Sequence, residues 1–146
     1  MNSKLKIGIA LLLFALIAGI AVWKYVNKSS DDFASQKAES SFTFNQLMEK
    51  ANSDTASLSQ LKDKLVGING VIKNIKQEPE SLTIELGDSS TMSSIICQID
   101  SRHRSELASK KEGETISLKG KLTGFTIDTE LGLGNTIEMN FCSINQ

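Results

Sequence analysis

Three hydrophobic rhythms follow one another along this chain. From Ile7 to Val22 every position is apolar or glycine, and Trp23, Tyr25 and Val26 carry the run past Lys24. A helix over 7–26 would be about 30 Å long at roughly 1.5 Å per residue, the thickness of a bilayer core. From Thr43 the apolar positions recur at helical spacing: Phe44, Leu47, Met48 and Ala51, then Leu58, Leu61 and Leu65 behind Asp54. Thr43 and Gln46 have the spacing of a capping box, with Phe42 placed as a hydrophobic staple, and Asp54 is a suitable cap for a second short helix. After Leu65 the period falls to two. Strands are predicted over 66–75, around Leu82, Ile84 and Leu86, around Ile95, Cys97 and Ile99, over 114–125 and over 136–144.

The breaks between strands have their own chemistry. Gln77-Glu78-Pro79-Glu80 and Gly87-Asp88-Ser89-Ser90 read as turns, and Gly132 and Gly134 mark a glycine-rich loop. Residues 101–111 read as a helix with Leu107 and Ala108 as its apolar contacts. In the last strand Ile137 and Met139 share a phase that Cys142 and Ile144 miss by one residue, so a bulge near Asn140 and Phe141 is expected. Three strands, a helix and two strands is the order of an OB-fold, a five-stranded Greek-key barrel. Gly120 and Gly124 on the long fourth strand of that barrel suit the coiling that closes it. The fold expected is therefore mainly β: an OB barrel with a short helical N-terminal extension, preceded by one transmembrane helix.

This pattern divides the chain into an N-terminal tail over 1–6, a transmembrane anchor over 7–26, a polar, serine-rich linker over 27–42 and an OB-fold domain over 43–146. Trp23, Lys24 and Tyr25 fall where membrane-interface side chains belong. A cleaved signal peptide is the competing reading, since Lys4 and Lys6 form a positive start and Gly19-Ile-Ala21 is a tolerable cleavage site. The run continues through Val22 and Trp23, which favours an uncleaved anchor in the inner membrane. Lys4 and Lys6 on one side nearly balance Lys24 and Lys28 on the other. A short tail ahead of a long folded domain favours an extracytoplasmic domain.

Composition sharpens the picture only after the anchor is set aside. The 146 residues carry 16 basic and 17 acidic side chains, and one domain is all that this length holds. Every acidic residue follows the apolar run, so residues 23–146 hold 14 basic against 17 acidic groups, a net charge of −3. A domain evolved around a polyanion is usually basic.

Residues 20–146 resemble the tRNA-anti-like family of membrane-anchored bacterial OB-fold proteins. The resemblance rests on Trp23, Tyr25, Asn27 and Lys28, the helix over 44–51, Asp54, Lys64 and Gly70. Its most specific stretch is Gly113-Glu114 leading to Leu118-Lys119-Gly120-Lys121-Leu122-Thr123-Gly124-Phe125, followed by Ile137, Met139, Cys142 and Ile144. It departs at Leu122, where family members often carry cysteine, and at Ser29-Ser30, where they carry proline-histidine. The resemblance implies nucleic-acid binding by analogy of fold alone.

The candidate chemistry is sparse. Lys73, Lys76, Arg102, Arg104, Lys119 and Lys121 could form a modest basic patch or simply a solvated surface. Thr83 and Glu85, then Ser94, Ile96 and Gln98, are expected to face outward on the second and third barrel strands, and none is aromatic or basic, unlike a nucleic-acid platform. Cys97 and Cys142 fall on strands that neighbour each other in an OB barrel, as a disulfide or as two buried thiols. With only the distant His103 beside them they make an incomplete zinc set, so no metal is expected. His103 sits between Arg102 and Arg104, which should disfavour its imidazolium. No nucleophile elbow or phosphate loop is present, and neither catalysis nor a cofactor is expected. The reading is a non-catalytic envelope binding module. It is held to the lipid bilayer through 7–26, and it takes a protein, peptide or glycan through the loops near 77–80 and 126–136. The alternative is a nucleic-acid-binding OB domain.

Overall fold

The fold is described from a computed structural model covering residues 3–26, 32–128 and 130–145, with side chains from residue 12 onward. Residues 1–2 and 27–31, parts of the expected tail and linker, lie outside the described residues, as does Thr129. The chain divides into two compact units, Met1–Asp31 and Asp32–Gln146.

The first unit contains helix α1, Ser3–Val26. Its described side chains, from Leu12 to Val26, are exposed. Among the described residues no helix is long and apolar enough to cross a membrane.

The second unit is a barrel. Strands β2 (Leu65–Gln77), β3 (Leu82–Leu86), β4 (Ser94–Ile99), β5 (Thr115–Thr126) and β6 (Thr136–Ile144) pair in the order β2-β3-β4-β6-β5, and β5 closes on β2. β4 and β6 run parallel and the remaining barrel pairs are antiparallel. Strand β2 is long enough to pair with β5 through 65–71 and with β3 through 72–77, changing partner at a register shift between Ile72 and Asn74. The bulge expected in the last strand is present. Pairing slips between Met139 and Cys142, and Phe141 takes a left-handed φ of 55° that returns Cys142 to the interior.

Two helices precede the barrel. α2, Phe44–Ser53, begins with the reciprocal capping box: Gln46 N–H donates to Thr43 Oγ1, and Thr43 N–H donates to Gln46 Oε1. α3, Thr55–Ser59, is capped by the Asp54 carboxylate, which accepts from Ser57 N–H. Leu47, Met48, Ala51 and Leu58 from these helices join inward residues of all five barrel strands in one core. The expected helical stripe ends early, because Leu65 is the first residue of β2 and is buried there. The segment after β4 is likewise shorter than its pattern: a 3-10 turn at Ser101–His103 and α4 at Arg104–Leu107. Leu107 is buried, but Ala108 is exposed, since the helix stops before a second turn could bring it inward.

The end of the polar stretch read as a linker is a strand. β1, Ser40–Thr43, pairs in parallel with β2 from Val66 to Asn69 as a sixth strand. The strands approach closely at Gly67, where a Cβ would lie 2.5 Å from Ser41 Oγ and require that hydroxyl to turn away. The residues just before β1 also pack on the barrel. Phe33 lies 5.9 Å from Phe141 between ring centroids, Glu39 N–H donates to Leu65 C=O, and the buried Lys119 Nζ donates to Gln36 C=O at 2.8 Å. Serine-rich polarity hides this docking, because much of it runs through backbone groups, the Glu39 N–H and the Gln36 carbonyl.

Candidate ligand-binding face

Alternation along β3 and β4 sends Leu82, Ile84, Leu86, Ile95, Cys97 and Ile99 into the core and leaves Thr83, Glu85, Ile96 and Gln98 on the outer face. Ser94, expected on that face, is buried, and its N–H donates to Asn135 C=O at 2.9 Å. Register aligns the outer residues into rows. Asn74, Glu85, Ile96 and Glu138 stand side by side on β2, β3, β4 and β6, with Lys76, Thr83 and Gln98 in the next row. Ile96 is thus flanked by two carboxylates, one strand away on either side at a spacing of about 4.8 Å.

Two loops border the face. The β2–β3 turn is closed by Glu78 N–H on Ser81 C=O and held by Arg104, whose guanidinium donates to Pro79 C=O at 2.8 Å and Glu78 C=O at 2.5 Å. The β5–β6 loop is organised by Asp128 and Asn135. The Asp128 carboxylate accepts from the amides of Leu131, Glu130 and Leu133, which hold its pKa below the usual carboxylate value. The buried Asn135 accepts from Asp128 N–H through Oδ1, donates its own N–H to Ser93 Oγ and donates Nδ2–H to Asn52 of α2. Nothing in the hydrophobic pattern singles out Asn135. Only an aspartate ahead of two glycines hints at Asp128.

Five of the six basic residues have partners of their own. Lys73 Nζ donates to Thr91 C=O, Lys119 is buried on Gln36, Lys121 pairs with Asp63 at 3.3 Å, and Arg104 holds the β2–β3 turn. Arg102 makes a two-point contact with the buried Asp100, which holds that carboxyl below its ordinary value. Lys76 stands exposed near the end of β2. Trp23, Lys24 and Tyr25 end α1, and both aromatics are exposed.

Cys97 and Cys142 are free thiols, both fully buried. Burial pushes the Cys142 thiol well up, and its hydrogen bond with Cys97 adds to the shift. His103 differs from its sequence reading. Its Nδ1 meets Glu106 at 2.9 Å and its Nε2 meets Asp32 at 3.0 Å, so these two carboxylates raise its pKa despite the adjacent arginines. Among the described residues no cluster of three or more His, Cys, Asp or Glu is arranged to hold a metal ion. A separate cleft of about 570 Å³ opens beside Phe44, Val71, Lys73, Asp88 and Glu112, with charges of both signs at its edge.

A family profile described as tRNA_anti-like matches residues 1–132. The chain belongs to the tRNA_anti-like family. This tRNA_anti-like barrel superimposes on a Klebsiella pneumoniae lipoprotein described as a candidate nucleic-acid binder, with a TM-score of 0.56 and 13% identity over 80% of this chain and 98% of that one. That likeness shows the shared fold. Weaker likenesses reach asparaginyl-tRNA synthetase from Pyrococcus horikoshii (TM-score 0.43, 9% identity, 72% of this chain and 23% of that one). They also include an OBody bound to hen egg-white lysozyme (TM-score 0.43, 13% identity, 58% and 84%). No curated protein matches the sequence.

Proposed function

We propose that this tRNA_anti-like domain is a non-catalytic binding module whose β3–β4–β6 face accepts a basic protein or peptide segment. The observation that carries the reading is the row Glu85–Ile96–Glu138: an apolar side chain between two carboxylates, on a face whose outward residues in β3 and β4 include no aromatic ring. The folded unit as a whole, residues 32–146, holds 12 basic against 16 acidic residues, a net charge of −4. A cationic segment gains from both the local row and the global field. A glycan would be better served by an exposed aromatic platform.

The apolar run 7–22, with Trp23, Lys24 and Tyr25 behind it, supports a role for α1 as an inner-membrane anchor. In this reading the barrel lies outside the cytoplasm. Fusions of alkaline phosphatase and of green fluorescent protein after Gln146 test the orientation. Phosphatase activity without fluorescence is expected, and the reverse would overturn the placement.

A second reading is binding of single-stranded nucleic acid, favoured by the fold shared with the Klebsiella lipoprotein. OB barrels that do this use the strands equivalent to β3 and β4 together with the flanking loops. Here that face carries Glu85 and Glu138, which repel phosphates. Fluorescence anisotropy of the full chain in detergent micelles separates the two readings. A labelled peptide of alternating leucine and lysine should bind, and Glu85→Lys with Glu138→Lys should weaken it about tenfold or more. Salt-sensitive micromolar binding of a labelled oligothymidine instead would establish the second reading.

A further inference from the structure

We infer that Met92, Leu131 and Leu133 form the apolar anchor of this binding surface, gripping an apolar residue that lysine or arginine flanks in a partner protein. The inference rests on the proposed peptide-binding reading and names where its affinity resides. The three side chains are 69%, 76% and 61% exposed and, with Val71 at 43%, are the exposed large apolar residues among the described residues of this unit. They belong to two loops that meet at Gly134, where a Cβ would lie 2.5 Å from the Met92 carbonyl carbon and 2.6 Å from Ser93 N. The meeting point lies where the parallel strands β4 and β6 begin, Ser94 opposite Thr136, two positions from the Ile96–Glu138 pair. The apolar tip and the acidic row therefore lie along the same two strands, separated by the Ser94–Thr136 pair, whose serine is buried.

The loop holding the leucines is ordered before any ligand arrives. Asp128 gathers the amides on both sides of Gly132, Asn135 ties the loop to Ser93 and Asn52, and Gly132 and Gly134 take φ values of +67° and +78°. Ordering two leucines outward costs conformational entropy without burying them, and that cost is already met when a partner covers them. The surrounding charges choose the partner. Asp88 and Glu130 lie on the two tip loops, and Glu138 and Glu85 stand further along the sheet. Two cations stand nearby, Lys73, whose ammonium donates to Thr91 C=O, and the exposed Lys76 in the row beside Glu85, and the four carboxylates outnumber them. An anionic lipid surface or a nucleic acid would meet these carboxylates unfavourably, whereas a basic segment with an apolar side chain satisfies both parts.

The test uses the full chain in phosphatidylcholine nanodiscs, with empty nanodiscs as blank and the labelled leucine-lysine peptide as probe. Leu131→Ser with Leu133→Ser should weaken binding about tenfold or more, and Leu133→Arg should do the same by repulsion. Both variants change exposed side chains, and an unchanged thermal midpoint verifies their folding. Unchanged affinity in both would overturn the anchor. If Glu85→Lys with Glu138→Lys still weakens the peptide in that case, the acidic-face reading survives. If neither set has an effect, both fall. Tip-dependent binding to phosphatidylglycerol vesicles, or to an oligothymidine, in place of the peptide would also overturn the inference.

Discussion

Sγ of Cys142 fills the space that a Cβ on Gly120 would need. The two residues sit where β5 and β6 slip register, between Lys119 and Lys121 on one strand and around Phe141 on the other. The bulge that turns Cys142 inward and the glycine that admits it are thus one packing arrangement. Gly120→Ala should cost about 1–3 kcal/mol through overpacking, read as a lower midpoint in urea denaturation. An unchanged midpoint would show that the strands can separate there without penalty.

The buried thiols should be chemically quiet. The raised Cys142 pKa leaves little thiolate near pH 8, and neither sulfur reaches solvent. Iodoacetamide should modify the native chain slowly and modify two cysteines in urea without reductant. No modification in urea would mean that Cys97 and Cys142 are joined as a disulfide.

His103 should make stability depend on pH. Its pKa is raised by Glu106 first and Asp32 second, so its contribution is full below the unfolded value of 6.5 and is lost as pH rises through the folded value. Asp32 is shifted the other way, so its share is present above 3.8 and is lost as pH falls through its lowered folded value. His103→Gln should therefore lower the thermal midpoint more at pH 6 than at pH 9. A loss equal at both values would show that the imidazole acts by packing alone.

Lys119 should hold the pre-strand segment against the barrel. Lys119→Met keeps the buried stem but removes the bond to Gln36 C=O, at a cost of about 1–2 kcal/mol. Limited proteolysis should then cut within residues 33–39 sooner than in the parent chain. Identical cleavage would assign the docking to Phe33 and Phe141 instead.

Much of the barrel is legible in the sequence, because its strands keep one face in the core and period two records that burial directly. The Thr43–Gln46 capping box and the bulge near Phe141 were readable for the same reason, each being a local rule with a local signature. Docking of residues 32–43 was not, since β1 pairs through backbone and Gln36 offers a carbonyl that any residue would supply. The adjacent arginines suggested a disfavoured imidazolium, but Glu106, three positions on, and Asp32, 71 positions back, both meet the ring.

Local pattern alone therefore determined the apolar N-terminal run, the order of strands and helices, and the inward residues, since each depends on neighbours within a few positions. Tertiary structure decided what stands next to what on the outside. It set Ile96 between Glu85 and Glu138, gave five of the six basic residues partners of their own, and brought Met92 beside the loop of Leu131 and Leu133. These juxtapositions come from register between strands distant in the chain. Register is fixed by barrel closure and core packing, not by any short stretch of sequence.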